Sequence, residues 1–564
     1  MKFPRLLTIE LNSFDVDLLL PALFFRILAN GKQRARVVNK PERIAEFVEA
    51  LSNHSALEGF QGSDSLRVLD RLVRTELITV GKVGRGHRGE QILTVAPYTI
   101  LTHKTGFPRE SSRVRGVDTF LYKVLRDVNM ADEPLRQHFK TVFGQGVIVN
   151  PVPDLGGSYD GKTELDTLTR LAIAFLDGFE AVRVGLREAA SADPACPAVA
   201  TEMGWDLLRY VYGYADCMPP QALTTSFIAL INFELFIYTL KLVTAVNALV
   251  HSPDELPPAM REKAASSAPQ IYVDFTAGAD ALSKRMATEC VRRDIESYQR
   301  YMPSSLLLRQ LDRYVKRLRH VPQRRAQLDA ALDGETSGPL YFQSLLLLRE
   351  NPSIWAQIEA SAQLDEDEIR QANRPPDNED SVSSEPDWLD DIGQDAESDV
   401  DRVVELVLAG QNTHTLANSF QWYRAVGGLT KPYGLLAGNL KGRQSWRYAP
   451  SNDLLAVWVQ LAAIRIGNGV SASGGGNQQT TDLKPIGLRY FLHFLSERFG
   501  ILVDRPPEPF EGAEYTAAAR ENLRAMLRRL RQMGIFGDLS DDFTVQHLTP
   551  PYAKASGPTR LEGK

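Results

Sequence analysis

Residues 64–95 read DSLRVLDRLVRTELITVGKVGRGHRGEQILTV. Leu66, Leu69, Leu72 and Val73 recur at helical spacing, so one side of a short helix is apolar. Arg67, Arg71 and Arg74 recur one turn apart on the opposite side. Leu77 to Val80 and Gln91 to Val95 then read as strands around a glycine-rich tip that carries Lys82, Arg85 and Arg88. A helix with an apolar back and a cationic front, followed by a cationic hairpin, suits a DNA groove and its flanking phosphates. The stretch therefore predicts a winged helix. Arg67, Arg71 and Arg74 would face a groove of double-stranded DNA, and Lys82, Arg85 and Arg88 its phosphates. The competing reading is a packing or dimerisation module with a solvated basic face.

Working outward, helices are predicted at about 14–29 and 41–52, with Pro41 at a first helical position. Another follows at 109–126. Residues 1–128 thus read as a winged-helix-type domain and 129–364 as an α-helical domain. In the latter, helices are expected at Glu164 to Ala189, Ala222 to Val250, Asp280 to Tyr301 and Ser304 to Arg319, among others. Residues 365–399 read as an acidic disordered linker. Residues 400–552 read as an α-rich C-terminal domain, and 553–564 as a tail. Near the C-terminus, Glu514 to Met533 predicts a helix with Leu523, Met526, Leu527 and Leu530 on one face. Arg520, Arg524, Arg528 and Arg531 gather on the other, a second basic face. A short hairpin with the acidic tip Ser540-Asp541-Asp542 follows, which gives a second winged-helix-like end. The expected fold class is mainly α.

Net charge is −6 over 564 residues, which by itself argues against a polyanionic partner. The linker alone holds fourteen Asp or Glu against two Arg, a net −12, so the rest of the chain carries +6. The linker could cover either basic face by mimicking a phosphate backbone. Three widely spaced cysteines give neither a disulfide framework nor a cysteine zinc site, and fit a reducing cytoplasm. No signal peptide is read at the N-terminus. The apolar run Phe227 to Val250 contains Glu234 and Lys241, so it reads as a buried core helix, with no membrane partner.

Gly156-Gly157-Ser158-Tyr159-Asp160-Gly161-Lys162-Thr163 fits G-x-x-x-x-G-K-[ST], which makes Gly156, Gly161, Lys162 and Thr163 candidate nucleotide ligands of an NTP-dependent enzyme or switch. The context argues against it. Pro151 and Pro153 stand where a buried strand should end, and Asp160 adds negative charge where phosphate would lie. A glycine-rich turn with Thr163 as helix cap is the alternative. The nine histidines form no H-x-x-x-H pair, and no G-x-S-x-G elbow occurs. No catalytic residue, metal site or cofactor is expected. The Gly427–Gly434 segment predicts a defined structural loop beneath Trp422 and Trp446.

Asn412 to Tyr448, especially Trp422-Tyr423-Arg424 and Gly427 to Leu436, and Glu521 to Tyr552 cover about a third of the chain. They resemble a component of bacterial multigene anti-phage defence systems of the methylation-associated kind. The resemblance implies a cytoplasmic protein working beside a methyltransferase and a motor ATPase, and carries no catalytic residues with it. Two functions follow from residues and resemblance together: a non-enzymatic DNA-binding or scaffold subunit, or a protein–protein adaptor whose winged helices dock other subunits.

Overall fold

The apolar run at the middle of the chain forms one helix of 32 residues, Pro220–His251, in the computed structural model. The structure describes residues 9–12, 14, 16–34, 44–82, 90–105, 114–129, 131–152, 154–178, 186–188, 193–261, 269–373, 391–467, 480–537 and 546–553. Because its apolar side chains lie all round, the helix is buried all round. It packs against the helices Pro197–Tyr214, Ala281–Arg319, Asp399–Val426 and Asn452–Ala463. Among the described residues it is long and apolar enough to cross a membrane, yet it forms the centre of the core. Phe233 rests on Trp458 and Phe499 at 5.2 and 4.8 Å.

The protein is mainly α, and sheets among the described residues have two or three strands. The predicted break near Pro303 does not occur: Ala281–Arg319 is one helix of 39 residues. Proline removes one backbone donor. Tyr298, Tyr301, Met302, Leu306 and Leu307, buried on both sides of it, hold the two halves in line. Asn522 joins three distant segments. It accepts from the Phe275 amide at 2.7 Å and donates to the Val273 and Val503 carbonyls at 2.8 and 3.0 Å. This fixes the parallel pair Ile271–Tyr272 and Ile501–Leu502 against the helix Ala513–Gln532.

A second, smaller apolar cluster unites Ile44, Val48, Leu69, Val73, Ile92 and Phe175. Here the structure corrects the sequence reading of the N-terminal unit. The helix expected at 14–29 spans Leu19–Leu28 and lies in the main core, which Leu93 reaches from the 64–95 segment while Leu69, Val73, Leu77 and Ile92 form the smaller cluster. Its Arg26 pairs with Asp118 at 2.6 Å, both nearly sealed from solvent. The helix Thr167–Asp177 packs beside Ile44–Ser52 in its place. That helix, expected at 164–189, begins at Asp166, whose carboxylate caps it by accepting from the Thr169 amide.

The acidic segment also begins as structure. Residues 365–373 complete the helix Pro352–Asn373, and Asp365 is buried between Arg313 and Arg317, at 3.2 and 2.8 Å. Glu366 pairs with Arg370 and Arg402, and Asp401 with Arg349. These acids join neighbouring helices rather than either predicted basic face. Composition alone missed this because the partners lie about 50 residues away. Of the rest of the expected linker, 391–398 lead into the helix Asp399–Val426, and 374–390, like the tail from 554, lie outside the described residues.

Candidate nucleic-acid interface

The 64–95 segment forms the expected helix and hairpin. Ser65 closes the helix start, its hydroxyl accepting from the Gly62 amide and donating to the Gly62 carbonyl. The helix runs Ser63–Leu72, then one wider turn, Val73–Leu77, leads into the strand Ile78–Lys82. That strand pairs antiparallel with Glu90–Val95 and carries an irregularity at Thr79/Val80. At Gly81, next along the strand, a Cβ would stand 2.8 Å from the Leu93 methyls, so a larger residue would need Leu93 to shift.

Leu69, Val73 and Leu77 point into the small core, and Arg67, Arg71 and Arg74 face solvent. Val68 lies among them, 60% exposed. Acids that the periodicity argument passed over share this surface. Asp70 holds Arg74 at 3.1 Å, and Asp64 stands 3.9 Å from Arg67. The backbone of Lys82 ends the first strand; its side chain, Arg85 and Arg88 lie outside the described residues.

At the far end, Leu488–Phe494 continues into a wider turn, Leu495–Phe499, and shares a pocket wall with Leu523 of the helix Ala513–Gln532. The strands Ile486–Gly487, His547–Leu548 and Phe536–Gly537 form a three-stranded sheet in that order. Arg520, Arg524, Arg528 and Arg531 line the exposed side of the Ala513–Gln532 helix. Glu521 pairs with Arg528 and Arg524 at 2.9 and 3.2 Å, which holds its carboxyl below the usual range. Arg531 lies over the Phe536 ring. The acidic tip 540–542 lies outside the described residues.

The Gly156–Thr163 match is not built as a phosphate loop. Gly157–Tyr159 is itself a strand, antiparallel to Val147–Val149, so the first half of the motif is extended chain and not a loop wrapped around a phosphate. Asp160 accepts from the Lys162 and Thr163 amides and from the Thr163 hydroxyl. Those hydrogen bonds pull its pKa down to about 2. The amides that would hold phosphate are occupied by the chain's own carboxylate. The geometry of Gly156, Gly161, Lys162 and Thr163 is therefore that of a turn, and the helix cap is Asp166 rather than Thr163. Asp274, the acidic residue that follows the strand Ile271–Tyr272, is fully buried and pairs with Arg447 at 3.2 Å.

The aromatic residues of the resemblance-bearing segment, Trp422, Tyr423, Trp446 and Tyr448, are buried. Tyr423 and Tyr448 hydroxyls meet at 2.6 Å, and Tyr448 donates to buried Asp294. Gly428 and Gly434 pack backbone on backbone in the loop between them. A family model described as methylation-associated defense system protein MAD7 matches residues 1–552. The chain belongs to this family. Its members act in multigene antiviral defence, which supplies other components of the system as its partners. Searches of curated proteins and of solved structures gave no match.

Sequence reasoning missed the buried ionic groups. Arg498 reaches Asp206, Glu202 and Glu234 at 2.7, 3.0 and 3.6 Å. Glu234 and Lys241, odd in an apolar run, were the one visible sign of this cluster. Also unforeseen is a cleft of about 790 Å³ between the helices Val117–Asn129 and Pro197–Tyr214 and the start of Gly338–Leu347, with exposed Leu340 at its rim.

Proposed function

We propose that this family member is a non-enzymatic DNA-binding and scaffold subunit of its defence complex, working in the cytoplasm. One observation carries the reading. A helix with Arg67, Arg71 and Arg74 on its open side stands on a small core of its own, directly before an antiparallel hairpin. The segment joining the strands supplies Arg85 and Arg88. The long buried helices form the rigid body that carries it, and the C-terminal end would dock a partner such as a motor ATPase or a methyltransferase.

The test is fluorescence anisotropy of labelled duplex DNA across a salt series. Replacing Arg71, Arg74, Arg85 and Arg88 with Ala removes four cations. With Arg85 and Arg88 each on a phosphate the salt slope flattens by about 1.8, and loss of the groove contacts of Arg71 and Arg74 weakens binding further. An unchanged slope rejects this surface. The second reading is a protein–protein adaptor, favoured by the acids beside Arg67 and Arg74 and by the open cleft near Leu340. Capture of neighbouring gene products by a protein that does not bind DNA would establish it instead.

A further inference from the structure

A cationic cavity lies towards the opposite end of the sequence from the Arg67–Arg74 surface. The helix Leu488–Phe494 and its following turn present Arg489, His493 and Ser496 on one face. They line a pocket of about 360 Å³ closed by Asp504, Arg505 and Leu523. Arg489 and Arg505 are both exposed, and among the described residues neither forms an ion pair or a hydrogen bond. Elsewhere in the molecule arginines are mostly engaged, as in the pairs of Arg26, Arg74, Arg317 and Arg402. Asp504 is the one acid in the wall, so the pocket keeps a net positive charge. Leu523 continues this surface outward. Arg520 lies one helical turn before it and Arg524 beside it, and Arg528 follows Arg524 after about 6 Å of helix rise.

We propose that this pocket binds a phosphodiester of a nucleic-acid backbone, with Arg489 and Arg505 as its ligands. The further arginines running away from the cavity, Arg520 and the pair Arg524 and Arg528 that share Glu521, outnumber that acid and suit a chain of phosphates better than one ion. Leu523 gives the sugar an apolar wall. The proposal takes its ligand class from the DNA-binding reading above, but its residues share nothing with the Arg67–Arg74 surface.

The test compares full-length proteins by anisotropy on labelled duplex and single-stranded DNA. One variant is Arg489→Ala/Arg505→Ala, the second Arg489→Lys/Arg505→Lys, and the third Arg67→Ala/Arg71→Ala/Arg74→Ala. Losing two phosphate contacts flattens the salt slope by about 1.8, which is about 60-fold weaker binding at 0.1 M salt. The lysine pair keeps the charge and retains the slope. Both arginines are exposed, so the melting temperature stays put and a folding defect is separable. An alanine pair with the wild-type slope overturns the proposal, as does wild-type protein that binds no DNA. Inorganic phosphate or ATP bound at this site without DNA also overturns it. If the alanine pair loses affinity while the Arg67/Arg71/Arg74 variant does not, this site stands and the N-terminal surface falls.

Discussion

Replacing Arg498 with Met tests the main energetic claim about the core. Arg498 is the hub of an ionic cluster inside an apolar helix bundle. Its side chain is 15% exposed, that of Asp206 5% and that of Glu234 2%. Methionine roughly matches the apolar stem and removes the charge. Breaking a buried pair by deleting one partner costs about 3–5 kcal/mol, because the remaining charge has no solvent. Two features soften the loss. Asp206 keeps Arg209 at 3.4 Å. Burial, opposed by Arg498 and reinforced by Asp206, already lifts Glu234 to about 8, so a proton can neutralise it. The expected loss is therefore at the low end, about 3 kcal/mol.

The pH dependence has a definite sign. A carboxyl whose folded pKa is raised favours the folded state most below its unfolded pKa, near 4.5. That advantage is lost as pH rises through about 8. The wild type should weaken over this window, and the Arg498→Met deficit should be larger at pH 8 than at pH 5.5. In a chain of 564 residues one global unfolding energy is poorly defined. Hydrogen exchange of amides in Pro220–His251 reads the local opening energy instead. Adding Asp206→Asn and Glu234→Gln removes the stranded charges and should recover most of the loss. A single variant within about 1 kcal/mol of wild type, or a deficit that shrinks with pH, refutes the account.

Two further outcomes follow from the interior. Asn522→Leu leaves the Phe275 amide and the Val273 and Val503 carbonyls without their partner. At about 1–3 kcal/mol per buried orphan, it should destabilise by at least 2 kcal/mol and speed exchange at 271–275, as read by the same exchange measurement. Gly434→Ala puts a Cβ 2.2 Å from the Gly428 carbonyl oxygen, and both sides of that contact are backbone. The local opening energy read by exchange of the amides in 427–436 should fall by about 3 kcal/mol or the protein should be recovered insoluble, whereas Gly537→Ala, with nothing within 4 Å, should match wild type.

The sequence by itself determined the local elements with a strong period. The helix and hairpin at 64–95, the basic helix near 520 and the core helix at 220–251 appear where the spacing puts them. Each is visible locally because side-chain period and turn residues act over a few positions. The same locality explains what was misread. Pro303 signals a break by itself, but the apolar contacts that override it come from other helices. Asp365 reads as solvated linker until Arg313 and Arg317 stand beside it. At Gly156–Thr163 the prolines and Asp160 already spoke for a turn over the phosphate-loop pattern, and what the sequence placed wrongly was the helix cap, which is Asp166 and not Thr163. Only the tertiary structure decided which helix joins the small core, which charges are buried and paired, and where free arginines meet a cavity. Those are contacts between segments tens to hundreds of residues apart, and no period along the chain encodes their partners.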